Sequence, residues 1–82
     1  MQYTDYSFRF HKQGAHEMLY EISDKDETST TKYYGYLAST GSWIIMEWDT
    51  VADTFRYAAG DELYTAAWAG KAALSYALYS AI

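Results

Sequence analysis

The sequence predicts a small all-β domain, an antiparallel meander of about six strands with one short helix near residues 62–71. Three observations carry that prediction. Large apolar side chains alternate with polar or small ones in several short runs. Polar clusters containing glycine separate those runs. Aromatic residues, which suit a pleated and half-buried surface, make up 20% of the 82 residues.

Tyr6, Phe8 and Phe10 alternate with Asp5, Ser7, Arg9 and His11, which predicts a strand with one buried face. Gln13-Gly14 supplies a turn, where glycine tolerates positive φ. His16, Met18, Tyr20 and Ile22 then alternate with Glu17, Leu19 and Glu21. A helix competes there, because Glu, Met and Leu are good helix formers, but the alternation favours a second strand and an N-terminal hairpin over residues 3–23. Residues 23–32 hold no large apolar side chain and predict an exposed, solvated loop. That loop is the one candidate boundary inside what reads as a single domain, residues 1–82.

From residue 33 the strand signal strengthens. Tyr33–Ala38 and Trp43–Trp48 flank Ser39-Thr40-Gly41-Ser42, a hairpin pattern, and Asp49–Asp53 leads into a further run, Thr54–Ala58. Period two places Trp43 and Ile45 on one face of this meander and Ile44, Met46 and Trp48 on the other. Both faces are therefore apolar, and a second layer is expected: the N-terminal hairpin, a C-terminal element or another subunit. Asp61 is placed to cap a helix and Glu62 to sit in its first turn. Leu63, Ala67 and Gly70 would share one helix face and Tyr64, Trp68 and Lys71 another. Leu74, Tyr76 and Leu78 alternate with smaller residues and predict a last strand near 73–80. A continuous helix over 62–82 is the rival, favoured by the alanine content.

Eleven Asp and Glu against six Lys and Arg give a net charge of -5, which argues against a nucleic-acid partner, since phosphate neutralisation needs a cationic face. No cysteine is present, so neither a disulfide nor a thiolate-held zinc can staple the fold. No basic and apolar leader follows Met1, so no signal peptide is expected, and no twenty-residue apolar span predicts a membrane partner. His11 and His16 could meet across the first turn beside Asp5 or Glu17, but read as surface residues. Asp24–Glu27 lacks the glycine and terminal glutamate of a calcium loop and reads as a solvated charge run. The five glycines are isolated from one another, and Ser39, Ser42, Ser75 and Ser80 have no histidine near them, since both histidines lie in the first sixteen residues. The expectation is no catalytic residue, no metal and no cofactor. Aromatic side chains are the remaining constellation, suited to packing and to protein interfaces.

Gly35-Tyr36-Leu37-Ala38, Ser42-Trp43-Ile44-Ile45, Thr54–Asp61, Trp68, Lys71 and Leu74-Ser75-Tyr76 together resemble a group of small virion proteins of tailed bacteriophages. The likeness spans Tyr34–Tyr76, about half the chain, and closes on a Trp-x-x-Arg-x-x-Leu-Ser-Tyr box. Lys71 stands where that box has arginine, and Ala69-Gly70 replace a polar pair. Lysine cannot form a bidentate fork with a carboxylate, so any such fork in the family is not expected here. The resemblance implies a non-enzymatic virion component, made in the host cytoplasm: a capsid decoration protein, a fibre or fibre-attachment module, or a neck or tail accessory. Its implied partners are further copies of itself and other virion proteins. Trp43, Trp48, Tyr57, Trp68, Lys71 and Tyr76 are the expected packing and interface anchors. Two readings of other classes stand beside it: a carbohydrate-binding module using exposed Trp and Tyr on a host-surface glycan, and an acidic inhibitor domain that mimics nucleic acid.

Overall fold

The computed structural model describes residues 9–12 and 18–81, with side chains from Leu19 onward. Strands β1 (Arg9–Lys12), β2 (Met18–Asp26), β3 (Thr31–Ala38), β4 (Trp43–Asp49) and β5 (Thr54–Gly60) pair antiparallel in sequence order. Helix α1 (Tyr64–Ala69) and two 3-10 turns, Lys71–Ala73 and Tyr79–Ala81, complete the described chain. The all-β meander and its single short helix are as predicted. The core of the sheet is the four-strand meander from Met18 to Gly60, to which β1 adds backbone pairing with Arg9 opposite Glu21. The expected Gln13-Gly14 turn and His16 lie outside the described residues, and of His11 only the backbone, in β1, is described.

Two expectations need correction. The sixth strand, at 73–80, does not form. Leu74 is extended and the alternation is real, but Leu74 and Tyr76 pack down onto the sheet face instead of joining its plane. Only Ala77 pairs with β5, through a single bridge to Tyr57, before the chain turns into the 3-10 segment. The rival helix over 62–82 is absent too, since α1 stops at Ala69. The solvated loop 23–32 is also shorter than expected: β2 runs to Asp26 and β3 begins at Thr31, leaving a turn of 27–30. Polar side chains hold this end in place of apolar ones. Both the amide and the hydroxyl of Thr28 donate to Asp26 Oδ1, at 3.2 and 2.7 Å. The Thr30 carbonyl accepts from the amide and hydroxyl of Thr50 at 3.0 and 2.7 Å, tying this turn to the one between β4 and β5.

The β2–β3 register shifts between Ile22 and Asp24, a bulge at Ser23. Tyr20 and Ile22 lie opposite Ala38 and Tyr36, whereas Asp24 and Asp26 lie opposite Gly35 and Tyr33. An extra residue in one strand reverses its alternation beyond that point. Tyr20, Tyr34, Tyr36, Ala38, Ile44 and Met46 form one buried cluster. Trp43, Ile45 and Ala58 form the other, on the opposite face, closed by Tyr64 and Ala67 of α1 with Trp68, Leu74 and Tyr76 beside them. Of the coverings considered from sequence, the C-terminal element is the one over the Trp43–Ile45 face.

The helix meets this face differently from the expectation. Leu63 occupies the cap position without a side-chain cap and is 70% exposed, so Asp61 does not cap and Glu62 precedes the helix. The Glu62 carbonyl instead accepts from Trp43 Nε1 at 3.0 Å. Gly35 lets α1 approach. A Cβ there would collide with the Tyr64 hydroxyl and stand 3.0 Å from Cε3 of Trp68. The absent side chain is thus a seat for two aromatic rings. Overpacking of a fitted core costs about 1–3 kcal/mol. Gly35→Ala should lower stability by that amount, read from the midpoint of urea unfolding. An unchanged midpoint would mean that α1 does not rest on β3 in this way.

Candidate functional site

Among the six predicted anchors, three come together under the C-terminal segment. Trp68, Lys71 and Tyr76 surround a position on the Trp43 face that Tyr33, Glu47 and Asp26 share. Lys71 Nζ lies 3.1 Å from Asp26 Oδ2, 4.5 Å from the Trp68 ring centroid and 5.6 Å from that of Tyr33. Its side chain is only 17% exposed. A cation over aromatic faces and next to a carboxylate is held by the ring quadrupoles and by the charge together. The contact to Asp26 is a point contact, as lysine chemistry requires. The Tyr76 hydroxyl donates to the Lys71 carbonyl at 2.8 Å, and its ring sits 6.1 Å from that of Tyr33. The Tyr33 hydroxyl in turn donates to Glu47 Oε2 at 3.4 Å. One turn earlier in the helix, the Tyr64 hydroxyl donates to Asp24 Oδ2 at 2.9 Å. These contacts fasten the segment 71–77 across the sheet as a strap.

The other anchors lie elsewhere. Trp43 is buried in the core beneath α1. Trp48 and Tyr57 belong to the opposite face, where they join two residues that sequence reasoning did not select, Phe55 and Tyr79. Trp48 and Phe55 are cross-strand partners and stack at 5.5 Å with an interplanar angle of 12°. Tyr57 lies two residues from Phe55 on the same face of β5, and meets Tyr79 edge-on at 5.1 Å. The result is an aromatic row along the last strand. Phe55 is 40% exposed and Tyr79 39%, while Leu78, next to Tyr79 in the chain, is 57% exposed and Val51, on the turn between β4 and β5, 82%. Lys32 flanks Trp48 on β3, and Asp53 Oδ1 accepts from Trp48 Nε1 at 3.2 Å.

Charge and burial set the acid–base behaviour of both places. Burial raises the Tyr64 phenol well above its ordinary value of 10.0, and the Asp24 carboxylate at its hydroxyl raises it further. Tyr76 is raised by burial, then by Tyr33 and Glu47. Tyr20, Tyr33 and Tyr57 are raised too, in each case mainly by burial. Asp26 is lowered, first by the Thr28 hydroxyl and then by Lys71. Glu27 is lowered chiefly by the Tyr34 hydroxyl, which donates to its Oε2 at 2.8 Å.

A further depression lies on the Trp43 face beside the start of α1. It is lined by Leu37, Gly41, Asp61, Glu62 and Leu63, holds about 470 Å³ and is open to solvent. Among the described residues, no group of three or more acidic or histidine side chains is placed to hold a metal ion. No described helix is long and apolar enough to cross a membrane. No family model matches the chain, and neither a curated protein nor a solved structure matches it.

Two outcomes follow from the strap and its phenols. Tyr76→Phe removes the hydrogen bond to the Lys71 carbonyl and should cost about 1 kcal/mol, with Lys71→Met costing a similar amount, read by urea unfolding. The raised phenols also fix an alkaline limit. Below pH 10 these tyrosines are protonated in both folded and unfolded chains, so stability is full there. As pH climbs past that value the unfolded chain loses protons first, and stability falls. The part of the tyrosinate absorbance that comes from these raised phenols should therefore appear in a cooperative step that coincides with unfolding by circular dichroism. A smooth titration of all ten tyrosines near pH 10 would contradict the burial described above.

Proposed function

We propose that the protein is a non-enzymatic structural component of a bacteriophage virion, acting through self-association and through contacts with other virion proteins. The observation that carries the protein-contact part is the aromatic row of Trp48, Phe55, Tyr57 and Tyr79, in which Phe55 and Tyr79 are exposed and Trp48 and Tyr57 half-buried. Large rings with little conformational entropy to lose, on a rigid strand, suit a protein interface. The virion part rests on the resemblance of Tyr34–Tyr76 to small tailed-phage proteins. The side chains of the Trp68–Lys71–Tyr76 box at its end are engaged inside the chain, where they hold the strap that leads to Tyr79.

Sedimentation velocity across micromolar to millimolar concentrations tests the self-association. The mass should rise above that of one chain, and Phe55→Ser and Tyr79→Ser should each weaken the rise. A strictly monomeric protein would sink the reading. Saturable binding on a glycan array, lost in Trp48→Ala, would favour the carbohydrate-binding alternative. Trp68 is a poor sugar platform in that case, because Lys71 already lies over its ring.

A further inference from the structure

β5 is an edge strand whose outward backbone groups are only partly closed. Residues of an antiparallel strand alternate in pointing their amide and carbonyl toward a neighbour or away from it. Tyr57 points away from β4, since its amide donates to the Ala77 carbonyl at 2.7 Å and its carbonyl accepts from the Ala77 amide at 2.9 Å. Phe55 and Ala59 share that parity. The Phe55 carbonyl accepts from Nη1 of Arg56 at 2.8 Å. Among the described residues, no backbone group bonds to the Phe55 amide or to either outward group of Ala59. The strap covers the edge at one residue only. Before Ala77 it is drawn over the sheet face by Leu74 and Tyr76, and after it the backbone enters the 3-10 turn 79–81, whose Tyr79 ring packs on that of Tyr57.

An open stretch of edge is a template for another strand. The sequence of β5 suits its own copy. Antiparallel pairing about a two-fold axis at Tyr57 sets Phe55 opposite Ala59 of the second copy, Arg56 opposite Ala58 and Thr54 opposite Gly60. On either side of the axis large residues thus meet small ones, Tyr57 meets its own copy at the centre, and the only charge on the strand does not face a like charge. Pairing in this register bonds both Tyr57 groups again, with two bonds between the copies in place of the four that their Ala77 contacts give up. It adds a further pair of bonds wherever Phe55 meets Ala59. The Trp48, Phe55 and Tyr57 rings of the two copies then lie on one face of the joined sheet.

Resting on the self-association reading above, we infer that a second copy of this chain adds to the β5 edge by antiparallel pairing centred on Tyr57. Ala77 of the strap is the cover it displaces. Amide hydrogen exchange of the full chain, followed against concentration, tests the site. The Tyr57 amide should be protected throughout, while the Phe55 and Ala59 amides should exchange freely in the dilute chain and slow by at least tenfold as it associates. Ala77→Pro removes the donor to the Tyr57 carbonyl and should strengthen association by roughly tenfold. Ala59→Pro removes an outward donor without touching the β4 ladder and should abolish association. Association without protection of Phe55 and Ala59, or undiminished in Ala59→Pro, overturns this site and leaves self-association standing. No association at any concentration, in the wild-type chain or in Ala77→Pro, overturns self-association itself.

Discussion

The arrangement of the described chain depends on one irregularity, the bulge at Ser23. Without it, period two would carry Asp24 and Asp26 to the side of Tyr20 and Ile22, where an aromatic cluster is packed. With it, both carboxylates turn to the other face and meet the C-terminal segment there. Asp24 receives the Tyr64 hydroxyl and Asp26 the Lys71 ammonium, at 2.9 and 3.1 Å. These contacts hold α1 and the strap at the β2 end of the sheet, with Gly35 as the seat between them. A bulge that re-aims two side chains thereby decides where the second layer can attach.

The acidic composition and the tyrosine content belong together in this light. A chain without cysteine must hold its small core by other means. Here phenols reach out from aromatic packing and donate to carboxylates: Tyr34 to Glu27, Tyr64 to Asp24 and Tyr33 to Glu47. Each such pair anchors one ring end while the ring itself buries apolar area. The aromatics with described side chains fall into three sets. Tyr20, Tyr34, Tyr36 and Trp43 fill the interior. Tyr33, Tyr64, Trp68 and Tyr76 fasten the helix and strap. Trp48, Phe55, Tyr57 and Tyr79 form the row on β5.

Much of the sheet was legible in local pattern. The runs Tyr33–Ala38, Trp43–Trp48 and Thr54–Ala58 coincide with β3, β4 and β5, because alternation and glycine-bearing turns report directly on pleat and hairpin. The bulge was not legible. A register shift depends on the partner strand, and Ser-Asp-Lys-Asp reads locally as a loop. The same limit explains the strap. Leu74 and Tyr76 show period two whether an extended segment joins a sheet or crosses its face, and only tertiary packing separates those cases. Of the site, the box Trp68–Lys71–Tyr76 came only with the resemblance, and its counterparts Tyr33, Asp26 and Glu47 come from β3, β2 and β4. Phe55 had a cross-strand signal available, since it faces Trp48 once the hairpin register is drawn. Tyr79 had none, because the path of the last residues is set by the single bridge at Ala77.

Net charge decides which surface of such a molecule can meet its own copy. At -5, two chains repel over a range of roughly 8–10 Å at physiological salt. The carboxylates are not evenly spread, however. Asp49, Asp53, Asp61 and Glu62 all sit before or after β5, and from Thr54 to Gly60 the strand carries Arg56 and no acid. Close approach along β5 therefore places no carboxylate within Thr54–Gly60, and Asp53 and Asp61 meet only past the ends of the paired strands, while approach through the 27–30 turn or the start of α1 brings acids together at the contact. The guanidinium of Arg56, curled back to the Phe55 carbonyl, guards this edge in the single chain. It also supplies the one positive group that acids flanking β5 on a neighbouring copy could meet. Edge protection and selective pairing thus rest on the same few residues, a combination expected where indiscriminate strand addition would lead to aggregation.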